Sequence, residues 1–167
     1  MTFFIKLDQW ISTFENFIVS TSMIVTASSL LLSVICRQLN IIMAGGEEVA
    51  LFAIVWMTFL GTALCARKGN HIVMSAVLDS ISTNKKKKVV TAICLFSALF
   101  CFLLFIFGTQ LTWDVFQRGQ VTPALRAPLW CMYISLPIGF FLTGVYYLMG
   151  FFHNLTRKEM YMGLEIT

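Results

Sequence analysis

Eighteen successive residues, Val49 to Ala66, are apolar or small and carry no charge. A helix rising about 1.5 Å per residue crosses roughly 30 Å of hydrocarbon in about that length. Inside lipid a backbone must satisfy its own hydrogen bonds, which a helix does. Glu47 and Glu48 stand just before the run, and Arg67 and Lys68 just after it. Acids at the start and bases at the end both suit the helix dipole. The basic end also marks the cytoplasmic side. One oriented span therefore fixes the frame for the rest of the chain.

The whole composition agrees with that frame. Of 167 residues, 58% are hydrophobic and 12% charged, against about 25% charged in an ordinary soluble domain. Most of the chain belongs in a bilayer. The formal charge of +4 does not point to nucleic acid. Six of the twelve bases fall between Arg67 and Lys88, where they read as a cytoplasmic loop beside anionic lipid. The five cysteines (Cys36, Cys65, Cys94, Cys101 and Cys131) form no CxxC pair, and an odd count argues against a disulfide framework or a zinc site. Cys36 and Cys131 can lie near one membrane face, where a bridge could form, although free cysteine is a common small buried residue. The N-terminus lacks the basic region of a cleaved signal peptide.

Taken in order, the chain predicts an all-α integral membrane protein. It has four transmembrane helices at about 17–37, 48–66, 89–111 and 129–152, both termini inside, and two amphipathic interfacial helices at about 3–16 and 71–83. In the first amphipathic stretch Phe3, Leu7, Trp10, Phe14 and Phe17 recur at helical spacing, with Lys6, Asp8, Gln9, Thr13 and Asn16 on the other face. It either lies flat in the interface or extends the first span. In the second, Val73, Val77 and Ile81 face away from His71, Ser75 and Asp79. With this topology the inner segments hold nine bases (Lys6, Arg67, Lys68, Lys85, Lys86, Lys87, Lys88, Arg157 and Lys158). The outer loops hold three, Arg37, Arg118 and Arg126. Nine against three sets the orientation.

Four groups of residues stand out. Ser22, Thr26, Ser29 and Ser33 lie on one face of the first span, where small hydroxyl residues allow close helix approach. With Gly61 they form the expected seam against another subunit, unless the hydroxyls only bond their own backbone one turn earlier. Arg37, Glu47 and Glu48 form an outer polar cluster, in which Arg37 can pair with Glu48 across the turn or meet a partner protein. Arg67, His71 and Lys85 to Lys88 mark the cytoplasmic interface, where His71 suits a structural hydrogen bond better than catalysis. Pro123, Pro128 and Trp130 shape an outer loop, and Pro137 with Gly139 predicts a kink or a close helix approach in the fourth span.

Reactive chemistry is missing. No span carries an ionisable residue at mid-depth, where proton relays and ion paths would need one. A haem anchor would want histidines within the bundle, but His71 and His153 sit at its edges. No nucleophile–base set, phosphate loop or metal cluster is present, so neither an enzyme nor a bound cofactor is expected. Two other readings stay open on these residues: an autonomous four-span transporter working as a dimer, and a membrane anchor for a redox complex.

The ordered motifs resemble one family. Arg37 is followed by Glu47 and Glu48, then by WMTFLG from Trp56 to Gly61 and RKGNHI from Arg67 to Ile72. TPALRAPLWCMY from Thr122 to Tyr133 and LPIG from Leu136 to Gly139 complete the set. Over about residues 37–139 the chain resembles the small membrane subunit (the Q, or DctQ-like, subunit) of tripartite ATP-independent periplasmic (TRAP) transporters. The resemblance implies a bacterial inner-membrane scaffold that packs against a large membrane subunit. In this family the large subunit carries the substrate and sodium sites and moves as an elevator. A periplasmic binding protein delivers an organic acid, dicarboxylates and sialic acid among them. The general likeness leans toward a sialic-acid system.

Overall fold

A computed structural model of the chain describes residues 2–41, 45–68 and 83–156. Five helices account for almost all of them: α1 (Thr2–Gln38), α2 (Gly46–Arg67), α3 (Thr83–Gln117), α4 (Trp130–Tyr133) and α5 (Ser135–Thr156). Four stretches are long and apolar enough to cross a membrane: Trp10–Gln38, Gly46–Arg67, Lys88–Gln117 and Trp130–Thr156. Among the described residues there is no strand, only an isolated bridge between Val121 and Pro128.

The first helix runs unbroken from Thr2 to Gln38, so residues 3–16 continue the first span as one helix. No glycine or proline interrupts that stretch, and nothing in it opposes helix propagation. The second amphipathic stretch, 71–82, with His71, lies outside the described residues, and Thr83 opens α3.

The helices pack side by side in the order α1, α2, α5, α3. Small residues sit where they meet. Ala63 and Ala66 on α2 form a buried cluster with Tyr146 of α5, flanked by Leu142 and Tyr147. Val90 and Cys94 on α3 pack against Tyr147 and Phe151. At Gly139 the approach is closest: a Cβ there would stand 2.7 Å from both the Cβ and the carbonyl oxygen of Phe59. Only a residue without a side chain lets α5 come this near to α2. Phe140 then turns its ring edge-on to Phe59, with centroids 5.3 Å apart. At the end of the row, α1 is covered on one side only, and no residue of its most apolar eighteen-residue window is buried.

The fourth span is broken. Pro137 has no N–H to donate to Tyr133, four residues back, and the helix is interrupted at Ile134, between α4 and α5. Thr112 of α3 covers the released acceptor: its Oγ1 lies 3.1 Å from the Tyr133 carbonyl and 2.7 Å from that of Gly108. One turn away, Gly108 faces Leu136 and Pro137.

Candidate functional site: two polar ends of an apolar row

Inside the spans, hydroxyls turn back onto their own helices, as lipid demands of a polar group without a neighbour. Thr58, Thr62, Thr109, Thr143 and Thr156 each donate to the carbonyl four residues earlier. The hydroxyl face of α1 behaves differently. Ser29 Oγ donates 2.6 Å across to the Gly46 carbonyl of α2. Thr26 and Ser33, on the same face, have buried hydroxyl oxygens with no hydrogen-bond partner among the described residues. At Ser29, then, this face is turned onto the chain's own second span. Ser22 is half-buried. Gly61 points elsewhere: a Cβ added there meets nothing within 4 Å.

At one end of the row the outer cluster is sorted into two uses. Arg37 donates to Glu47 at 3.1 Å, with both side chains exposed. The pairing anticipated with Glu48 is not made. Glu47 takes the arginine, and Glu48 reaches across to the loop between α3 and α4. There Glu48 Oε1 accepts the Ala124 N–H and Oε2 the Leu125 N–H, each at 2.9 Å. Two successive amides gripped by one carboxylate make a charge-assisted clamp. It ties the start of α2 to a loop more than seventy residues later. Leu125 then lies against Gly45, whose φ of 105° puts it in the left-handed region; a Cβ there would fall 2.8 Å from Leu125 Cδ2.

The loop closes on itself as well. Thr122 is buried; its N–H donates to the Ala127 carbonyl, and its own carbonyl and hydroxyl accept from Arg126 N–H and Ala127 N–H. Pro128 sits in the bridge with Val121, while Pro123 is exposed. Trp130 meets Phe116 edge to face at 5.8 Å, and Phe116 stacks on Trp113. Trp56 Nε1 donates to the Cys131 carbonyl at 3.1 Å, a second tie from α2 to this region. All five cysteines are free thiols, Cys36 and Cys131 included.

The opposite end holds a residue that the sequence reading passed over. Glu15 is 1% exposed and accepts a hydrogen bond from Tyr146 Oη at 3.1 Å. It stands within the apolar stretch Trp10–Gln38, so a span does contain a carboxylate, near its N-terminal end rather than at mid-depth. Arg67 lies over the Tyr146 ring, 6.0 Å from its centroid, in cation–π range. Glu15 was missed because the first span was expected to begin at 17. The signal was present: a lone acid among Trp10, Ile11, Phe14 and Phe17. Of the expected cytoplasmic residues, Arg67 is half-buried here and Lys88 is exposed at the start of its span. His71, Arg157 and Lys158 lie outside the described residues. Among the described residues no three metal-capable side chains converge.

Comparison with known proteins bears on what such a row does. Residues 26–157 match the family described as "Tripartite ATP-independent periplasmic transporters, DctQ component". The chain is similar to the ectoine TRAP transporter small permease protein TeaB of Halomonas elongata, 31% identical over 166 residues, covering 96% of this chain and 83% of that one. It is also similar to the C4-dicarboxylate TRAP transporter small permease protein DctQ of Rhodobacter capsulatus. There the identity is 23% over 103 residues, 62% of this chain and 44% of that one.

Proposed function

Since this chain belongs to the DctQ-component family of TRAP transporters, and is therefore a small permease subunit of the bacterial inner membrane rather than an enzyme, we propose that it is the fixed scaffold of a sodium-coupled importer. In this reading a large membrane subunit binds the substrate and sodium, and a periplasmic binding protein delivers the substrate. This chain supplies immobile membrane-embedded surface to the large subunit.

The observation that carries the proposal is the helix row itself. Four spans stand side by side, and α1, packed against α2 on one side, has no fully buried residue in its most apolar stretch. That stretch offers apolar surface at membrane depth, with Leu31, Val34 and Ile35 all more than half exposed. Interfaces between helices in lipid form by close packing and a few hydrogen bonds. The open Gly61 is the place where a partner's helix can come nearest. The excess of bases on the inner segments supports an orientation with both termini inside. That puts the Glu48 clamp in the periplasm and Glu15 with Arg67 near the cytoplasm.

The substrate we propose is a small organic carboxylate. The relatives' names specify ectoine and C4-dicarboxylates, both carboxylates. Sialic acid falls in the same class, and no residue of this chain selects among them. Reconstitution tests the whole reading. Proteoliposomes holding this chain, the large subunit and the binding protein should take up the substrate only with an inward sodium gradient. Liposomes holding this chain alone should take up none; flux through this chain alone would contradict the proposal.

A further inference from the structure

At the end of the row opposite the Glu48 clamp, an open groove of about 420 Å³ lies between α3 and α5. That volume falls within the roughly 300–1,000 Å³ of small-molecule sites. Lys88, Thr91, Ala92 and Leu95 line it from α3, at spacings that share one helix face. Phe151 and Asn154 line it from α5, about one turn apart. The groove changes character with depth. Lys88 opens the third apolar span, and Asn154 stands just before Thr156, the last residue of the fourth. Polar groups therefore gather at the membrane edge: Lys88 is exposed, Thr91 half-buried and Asn154 buried. Lys88 has no ion-pair partner among the described residues. Leu95 lies two turns further into the span, about 10 Å deeper, with Ala92 and Phe151 on the way down.

We propose that this groove is a binding site for one anionic phospholipid. The lipid phosphate sits on the Lys88 ammonium, the glycerol oxygens meet the Thr91 hydroxyl and the Asn154 amide, and an acyl chain lies along Ala92, Leu95 and Phe151. The passage from cation to hydrocarbon along the groove matches the passage from headgroup to chain along a phospholipid. Lys88 also closes the run Lys85 to Lys88, and four bases where a span meets the surface concentrate anionic lipid there. Other occupants fit worse. An apolar helix of another subunit would cover the deeper groove but shut Lys88 away from water without a counter-charge, which is costly. A soluble anion would use the polar edge and leave the apolar depth empty. The orientation with both termini inside assigns the lipid to the inner leaflet, whereas the site itself depends neither on that orientation nor on the scaffold reading.

The test titrates phosphatidylglycerol or phosphatidylcholine into the full chain in neutral detergent and reads bound lipid by native mass spectrometry. The unaltered chain should hold phosphatidylglycerol at least about fivefold more tightly than phosphatidylcholine. Lys88→Gln should erase that preference by weakening phosphatidylglycerol alone. Lys68→Gln removes another exposed base from the same end of the row, outside the groove, and should leave the preference intact. Ala92→Trp, which fills the groove, should weaken both lipids. Both groove substitutions fall on exposed residues, so the melting temperatures without lipid should match that of the unaltered chain. Glycerol phosphate, a headgroup without chains, should displace neither lipid. Equal losses in the two lysine variants would overturn the proposal by reducing the preference to diffuse surface charge. Displacement by glycerol phosphate would overturn it in favour of a soluble anion. Undiminished binding in Ala92→Trp would overturn it too, and loss of the large membrane subunit from that variant on purification would hand the groove to a protein helix.

Discussion

Glu15 and Gly139 show how single residues decide where this chain's helices meet. A carboxylate 1% exposed is tolerated only with partners, because an unsatisfied buried polar group costs about 1–3 kcal/mol. Tyr146 donates to it from α5, which ties the first helix to the last. Glu15→Leu removes that acceptor and should lower stability in detergent by about 1–3 kcal/mol. Glu15→Gln, which keeps an acceptor, should cost less, and the melting temperatures of the two variants check the order. Gly139 works by absence. Gly139→Ala puts a methyl 2.7 Å from Phe59, and overpacking of this kind costs roughly 1–3 kcal/mol. Gly61→Ala meets open space inside α2 and, as alanine is the better helix former, should hold or slightly raise the melting temperature of the isolated chain. The glycines look alike in sequence. Only the path of α2 past α5 separates them.

At the scale of elements, the break between α4 and α5 is the most informative. Pro137 is visible in the sequence, and the rule that it orphans the carbonyl four residues back is general. The side chain that covers that carbonyl, Thr112, lies on another helix and carries no local mark. Thr112→Val should weaken the outer end of the α3–α5 packing by about 1 kcal/mol. Thr112→Ser should not, and faster amide exchange around residues 134–138 in the valine variant would show it. The four spans were legible because length and apolarity alone specify them. The lengths of the first and third helices were not. The third helix runs to Gln117 and the first starts at Thr2, since helices continue past the hydrocarbon wherever no breaker stops them. The outer cluster was legible in its membership but not in its pairing. Arg37, Glu47 and Glu48 are close in sequence, whereas the amides that claim Glu48 belong to Ala124 and Leu125. Separation along the chain hides such a clamp.

As a whole molecule, the row α1, α2, α5, α3 has more apolar surface than a monomer needs to cover itself. In water such surface would aggregate; in a membrane it is available to lipid or to another protein. The exposed Arg37–Glu47 pair contributes roughly 0.2–1 kcal/mol at most, so this end of the bundle is held chiefly by the Glu48 clamp and the bond from Trp56 to the Cys131 carbonyl. The two reinforce the same joint, between the start of α2 and the segment that leads into the last span. On the scaffold reading this chain lives bound to a larger membrane subunit. The most direct measurement is to purify it, tagged, from its native membrane in mild detergent and to identify by mass what comes with it. A large polytopic membrane protein should come with it, in a fixed ratio to this chain. Recovery of this chain by itself, as monomer or dimer, would contradict it.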